Sequence, residues 1–169
     1  MIKIKVSNLA NSRYDFEFNG LVSELDIPEP YSGKFKTNVV LNKFDNQIIL
    51  DAETIVPAKL VCDRCAREFQ NEIKSRFRMV YMFSSKFDDS ENEKEEVVYL
   101  HPETDKIELN DDIRDYAILA VPMKKLCSEQ CKGLCPKCGK NLNDGPCNCT
   151  NEIIDPRWEP ILKTKTKNN

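Results

Sequence analysis

Eight cysteines are the residues whose type and spacing could do chemistry in this chain, and they fall into four pairs. Cys62 and Cys65 form C-x2-C. Cys135 and Cys138 form a second C-x2-C followed by Gly139, Cys127 and Cys131 form C-x3-C, and Cys147 and Cys149 form C-x-C. A structural zinc site takes four thiolate or imidazole ligands in a tetrahedron, and C-x2-C presents two sulfurs from one tight turn whose backbone amides stabilise their charge. In the run GLCPKCGKNLNDGPCNC, Pro136 fixes such a turn and Gly139 lets the backbone curl where a side chain would clash. Eight thiolates at four per ion predict about two zinc ions per chain.

Two groupings of the eight are open. One takes Cys135, Cys138, Cys147 and Cys149 as a local site, which leaves Cys62, Cys65, Cys127 and Cys131 for a second. The other groups Cys127, Cys131, Cys135 and Cys138 and crosses the rest. The first is preferred because it joins the local C-x2-C to the local C-x-C and gives the isolated pair a partner. A redox dithiol would need a βαβ setting and a helix N-terminus to lower one thiol's pKa. Cys62 and Cys65 lie instead between two stretches that read as strands. His101, the one histidine, precedes a proline in a polar stretch and reads as an exposed loop residue; Trp158 reads as a packing anchor. No nucleophile with its base, no glycine-rich phosphate loop and no carboxylate pair in an apolar setting occurs, so no enzyme is expected.

The elements that must position these cysteines show in the hydrophobic pattern. A period of two runs through the first eighty residues, the mark of strands with one buried face. MIKIKVS reads as a strand. YDFEF sets Tyr14, Phe16 and Phe18 on one side, with Asn19-Gly20 read as a turn after it. KFKTNVVLNKF groups Phe35, Val39 and Leu41, and Asp45-Asn46 suits a tight hairpin into QIILDAETIVPAKLV. EFQNEIKSRFRMVYMF places Phe69, Ile73, Phe77, Met79, Tyr81 and Phe83 on one face and Lys74, Arg76 and Arg78 on the other, so VCDRC sits at a hairpin tip. Residues 84–96 are acidic and almost free of apolar groups, a flexible solvated loop. After a short strand, VVYL, a helix is expected over about 110–121, with Asn110 as N-cap, Asp111 and Asp112 in its first turn, and Ile113, Tyr116, Ala117, Ala120 and Val121 as its apolar stripe, ended by Pro122.

The expected fold is therefore α+β: an antiparallel β meander or partly closed barrel over 1–122 with one or two helices, a small cysteine-rich zinc module over 123–160, and a disordered tail over 161–169. At 169 residues the chain can build one good core with a satellite module. No apolar run approaches the roughly 18 residues of a membrane helix, and the N-terminus does not read as a signal peptide, so a cytoplasmic protein is expected. The net charge of -3 is uneven. Residues 1–83 carry +1, residues 84–115 carry -8 and residues 116–169 carry +4. The acidity comes from one segment, and the cysteine-rich region is locally basic.

Taken together, VCDRCAREF, the helix break AVPMKKLC, then CSEQCKGLCPKCGKNLN, C-x-C and the closing DPRW resemble the bacterial YceD-like family, the large ribosomal RNA subunit accumulation proteins. The resemblance covers most of the chain. It implies a non-catalytic role in the synthesis, processing or stability of large-subunit (23S) ribosomal RNA, with that RNA, its precursor or a large-subunit ribosomal protein as partner. Lys74, Arg76 and Arg78 on a sheet face, with Lys124, Lys125, Lys132, Lys137 and Lys140 around the zinc module, are the candidate phosphate contacts. The alternative is a zinc- or thiol-based redox or stress sensor, which would need exposed, reactive thiolates.

Overall fold

The period-two alternation of the N-terminal half becomes a meander in the computed structural model, which describes residues 1–85 and 97–149. Strands β2 (Arg13–Leu21), β3 (Lys34–Phe44), β4 (Gln47–Val61) and β5 (Glu68–Phe83) pair antiparallel in chain order, and β6 (Val97–Leu100) joins β5 in parallel. A separate ribbon pairs β1 (Lys3–Lys5) with β7 (Lys106–Glu108). Helix α1 (Asn110–Leu119) follows β7 directly. The five-stranded sheet is open, with β2 and β6 at its edges, so the barrel alternative is not what forms.

Alternation decides which face is buried. Phe35, Val39 and Leu41 of β3, Ile48, Leu50, Ala52 and Val56 of β4, and Ile73, Phe77, Met79 and Tyr81 of β5 form the core with Ile4, Ile113 and Ala117. Each fully buried aliphatic side chain contributes about 1.5–3 kcal/mol. One polar pair is admitted: Thr37 and Thr54 are wholly buried, and their hydroxyls meet at 2.9 Å. Helix α1 lays Ile113 and Ala117 on the sheet, stacks Tyr116 on Phe77 with ring centroids 4.6 Å apart, and receives a hydrogen bond from the Tyr31 hydroxyl at the Ala117 carbonyl.

Two local expectations are corrected. Asn19-Gly20 is not a turn: β2 runs through it, with Gly20 opposite Phe35, and a Cβ there would meet the Phe35 ring at 2.9 Å. The chain turns instead at the 3-10 segment Val22–Leu25, where Glu24 accepts the Leu21 amide at 3.2 Å. Asn110 is not the N-cap. Leu109 holds that position, while Asn110 Oδ1 accepts the Ile2 amide at 2.6 Å and so ties the N-terminal strand to the helix start. The helix ends at Leu119, before Pro122. The acidic loop from residue 86, Trp158 and the tail lie outside the described residues. Among the described residues no helix is long and apolar enough to cross a membrane.

The chain divides into two compact units. The first is Met1–Val61 with Glu68–Lys125; the second is Cys62–Arg67 with the chain from Leu126 onward. The loop between β4 and β5 therefore belongs with the cysteine-rich unit, and the first unit is not one uninterrupted stretch.

Candidate metal centres

The second unit contains the same local fold twice. At the first C-x2-C the Cys62 amide donates to the Arg67 carbonyl at 2.9 Å and the Ala66 amide to the Cys62 carbonyl at 2.9 Å. At the second, Cys135 donates to Lys140 at 2.8 Å and Gly139 to Cys135 at 2.9 Å. The residue after the second cysteine is left-handed in both, Ala66 at φ 54° and Gly139 at φ 70°. That conformation closes the turn and leaves amides free to face the sulfur. The Cys62 thiol is pulled down to about 6 by the Cys127 amide first, which lies outside this turn, with help from the turn's own Cys65 and Arg64 amides against burial. Cys135 is likewise pulled down to about 6, by the Cys138 and Lys137 amides.

The structure gathers all eight cysteines into two clusters, Cys62, Cys65, Cys127 and Cys131, and Cys135, Cys138, Cys147 and Cys149; within each, the sulfurs lie within 4.8 Å of one another. Thiolates held about 2.3 Å from a tetrahedral ion must stand about 3.8 Å apart. Cys62 and Cys131 stand 3.8 Å apart, and Cys65 and Cys127 3.7 Å. Both clusters therefore fit one metal ion each. Packing thiols this closely is unfavourable for several charges at once. Burial and the neighbouring cysteines push Cys127 up to about 12, and Cys138 and then burial do the same to Cys149. A divalent cation removes that conflict, because it replaces protons on all four sulfurs.

The first cluster has further support that the sequence reading did not assign. Asn143 gives its side-chain amide to the Cys131 sulfur at 3.3 Å, which draws that thiol below its ordinary value, and takes the Lys132 amide at 2.8 Å. Arg64 donates to the carbonyls of Glu129 and Cys131 at 3.2 and 2.9 Å. Arg67 reaches both carboxylate oxygens of Asp144, at 2.8 and 3.0 Å. Gly133 is required by approach: at φ 76° a Cβ would stand 3.1 Å from the Arg64 carbonyl oxygen, where the Leu134 amide also binds. The available signal was the run C-x3-C-x-GLCPxCGxNLN, which contains Gly133 and Asn143; Arg64 and Arg67 lie in VCDRCAREF and Asp144 directly follows the run.

The clusters differ in access. Cys62, Cys65 and Cys131 are buried and Cys127 half-buried; in the other set only Cys135 is buried and Cys138 is exposed.

The candidate phosphate contacts fall in different units. Lys74, Arg76 and Arg78 project from the solvent face of β5, where Arg76 pairs with Glu53 at 2.7 Å and Arg78 with Asp51 at 2.6 Å. Lys132, Lys137 and Lys140 are exposed on the second unit, and Lys140 Nζ donates to the Pro146 carbonyl at 2.8 Å. Lys124 and Lys125 close the first unit.

Residues 50–164 match the family described as large ribosomal RNA subunit accumulation protein YceD. A chloroplast protein of Arabidopsis thaliana, "Large ribosomal RNA subunit accumulation protein YCED homolog 1", is 36% identical over 67 residues, 40% of this chain and 21% of that protein. Uncharacterized proteins of Mycobacterium bovis and Mycobacterium tuberculosis are 28% identical over 116 residues, 69% of this chain and 55% of theirs. The chain thus spans about a fifth to about half the length of these relatives. No solved structure matches it.

Proposed function

Because the chain belongs to the YceD family, we propose that it is a non-catalytic factor supporting accumulation of large-subunit ribosomal RNA, with its cysteine-rich unit held by two zinc ions. The observation that carries this reading is the family match over residues 50–164, which takes in both C-x2-C turns and all eight cysteines. Zinc is the metal that best suits four thiolates in a tetrahedron. Such an ion has no open position, so it would hold the fold and leave no site for an activated water. The cytoplasm, where thiols stay reduced, is the compartment this reading implies.

Charge bears on where RNA would touch. A zinc ion with four thiolates carries about -2. The charges of the second unit's described cations, Arg64, Arg67, Lys132, Lys137 and Lys140, are outweighed by those of Asp63, Glu129 and Asp144 together with two such centres. Much of its basicity is spent on the thiolates. The β5 face keeps Lys74 with Arg76 and Arg78, whose exposed ion pairs are worth only about 0–1 kcal/mol and can be exchanged for phosphate. We therefore assign the phosphate contacts to Lys74, Arg76 and Arg78 first, and to Lys132, Lys137 and Lys140 second.

The test is restoration of large-subunit ribosomal RNA in a strain lacking the protein. The natural chain should restore it and Arg76→Glu with Arg78→Glu should not. Failure of the natural chain would sink the functional reading. Full restoration by the charge-reversed variant would sink the assignment of the surface. Adding Glu53→Arg and Asp51→Arg to that variant rebuilds both ion pairs in reverse and, if RNA contact rather than folding is at stake, restores cations to the face and function with them.

A further inference from the structure

Among the described residues strand β2 has one unpaired edge, and the register says which groups it offers. Ser12 accepts the Lys43 amide at 3.0 Å and Val22 donates to Gly33 at 3.0 Å, so these pairs bracket the β2–β3 ladder. Antiparallel bonding alternates residue by residue. Tyr14, Phe16, Phe18 and Gly20 therefore direct their amides and carbonyls to β3, while Arg13, Asp15, Glu17 and Asn19 direct theirs outward. Among the described residues no strand pairs with that edge. It runs for about 24 Å at ~3.4 Å per residue.

The two faces beside this edge are unlike. On the core side Tyr14, Phe16 and Phe18 stand opposite Leu41, Val39 and Thr37, yet they are only half-buried because nothing described flanks them. The Phe16 and Phe18 rings stack with centroids 6.2 Å apart. On the solvent side stand the carboxylates of Asp15 and Glu17, in exposed pairs with Arg13 and Lys36 at 3.0 Å each.

We propose that this edge accepts an extended segment of a partner protein whose basic side chains alternate with apolar ones. Outward amides and carbonyls at strand spacing are matched by a polypeptide and not by a nucleic-acid backbone, which repeats no such donors. Apolar residues of the segment would cover Phe16 and Phe18, and basic ones would lie beside Asp15 and Glu17. A second copy of this chain is a poorer occupant. Two-fold registers overlapping most of the strand, centred on Asp15, Phe16 or Glu17, set carboxylate against carboxylate. The inference names a partner class for the function proposed above and rests on that reading only for its cellular role.

The test uses the full chain with a fluorescent nine-residue peptide alternating lysine and valine. Controls are the same peptide with alternate amides N-methylated and a glutamate–valine peptide. The lysine–valine peptide should bind about tenfold or more tightly than either. Glu17→Pro, which removes an outward amide and spares the bonds to β3, should cost a similar factor. Equal binding of the N-methylated peptide overturns the proposal, as does unchanged binding by folded Glu17→Pro. A concentration-dependent dimer lost in Glu17→Pro overturns it in favour of a second copy, and displacement of the peptide by an oligouridylate in favour of RNA. Should Glu17→Pro fail to fold, the N-methyl comparison on the natural chain decides. Peptide binding is read in solution and RNA accumulation in cells, so failure of one leaves the other standing.

Discussion

Asn143 donates its side-chain amide to the Cys131 sulfur at 3.3 Å, and the same side chain accepts the Lys132 amide at 2.8 Å. A hydrogen bond to a thiolate favours the charged form, which is why Cys131 lies below its ordinary value. Metal and protons compete for that sulfur. Asn143→Ala should therefore raise the thiol's pKa, weaken metal retention by about tenfold and move the pH of half-release upward. Chelator competition between pH 5 and 8 reads this directly; an unchanged profile would assign Asn143 to loop structure alone.

Ala66 occupies the left-handed position that Gly139 fills in the second turn. For a residue with a Cβ that conformation costs about 1 kcal/mol. Ala66→Gly relieves it, at the expense of a more flexible unfolded chain. The expected net effect is a modest stabilisation of the second unit, seen as slower hydrogen exchange at the amides of Cys62, Ala66 and Leu134. Faster exchange would show that unfolded-state entropy outweighs the strain.

These two residues mark the boundary of what could be read from the sequence. Strand β4 follows its alternation from end to end and β5 from Ile73 to Tyr81, because that pattern is local, as is the Asp45-Asn46 turn that leads into β4. Gly20 misled for a non-local reason: an Asn-Gly pair looks like a turn, and only Phe35 of the next strand shows that the glycine makes room for a ring. The three-residue β7 is too short to display a period, and nothing in VVYL reveals that β6 runs parallel to β5. The cysteine pairs were plain from their spacing, whereas Cys62 and Cys131 are 69 residues apart and meet only through the fold. The partners of Arg76 and Arg78, Glu53 and Asp51, come from β4 in the same way.

Asp112 gives a pH prediction. Burial first, then Asp111 and Asp115, raises its carboxyl above the ordinary 3.8. A carboxyl whose folded pKa is raised destabilises the fold when ionised. That cost is present above the folded pKa and disappears as pH falls through the unfolded value. Because Asp112 is only half-buried, solvent screens much of this cost, and Asp112→Asn should stabilise the first unit only slightly at pH 7, the loss of an acidic group from the first helical turn offsetting part of the gain. The gain should vanish near pH 3. Urea unfolding at both pH values tests it, and an equal gain at each would exclude the electrostatic cause.

The two clusters should release metal at different rates. In the first, three sulfurs are buried, Cys62 at 1% exposure and Cys65 and Cys131 at 4%, so a thiol reagent meets only the half-buried Cys127 before the unit opens. In the second, Cys138 stands exposed, with Cys147 and Cys149 half-buried, so attack needs no opening. Metal release by a mercurial, followed with a chromogenic chelator, should show about two ions leaving in two equal phases, the faster from the second cluster. Cys138→Ser should abolish the fast phase while the slow phase keeps its rate and amplitude, because the first cluster has its own four thiols. One phase of total amplitude near two would show that the clusters open together. A total near one in the natural chain would mean that one of the four-thiol sets does not hold an ion.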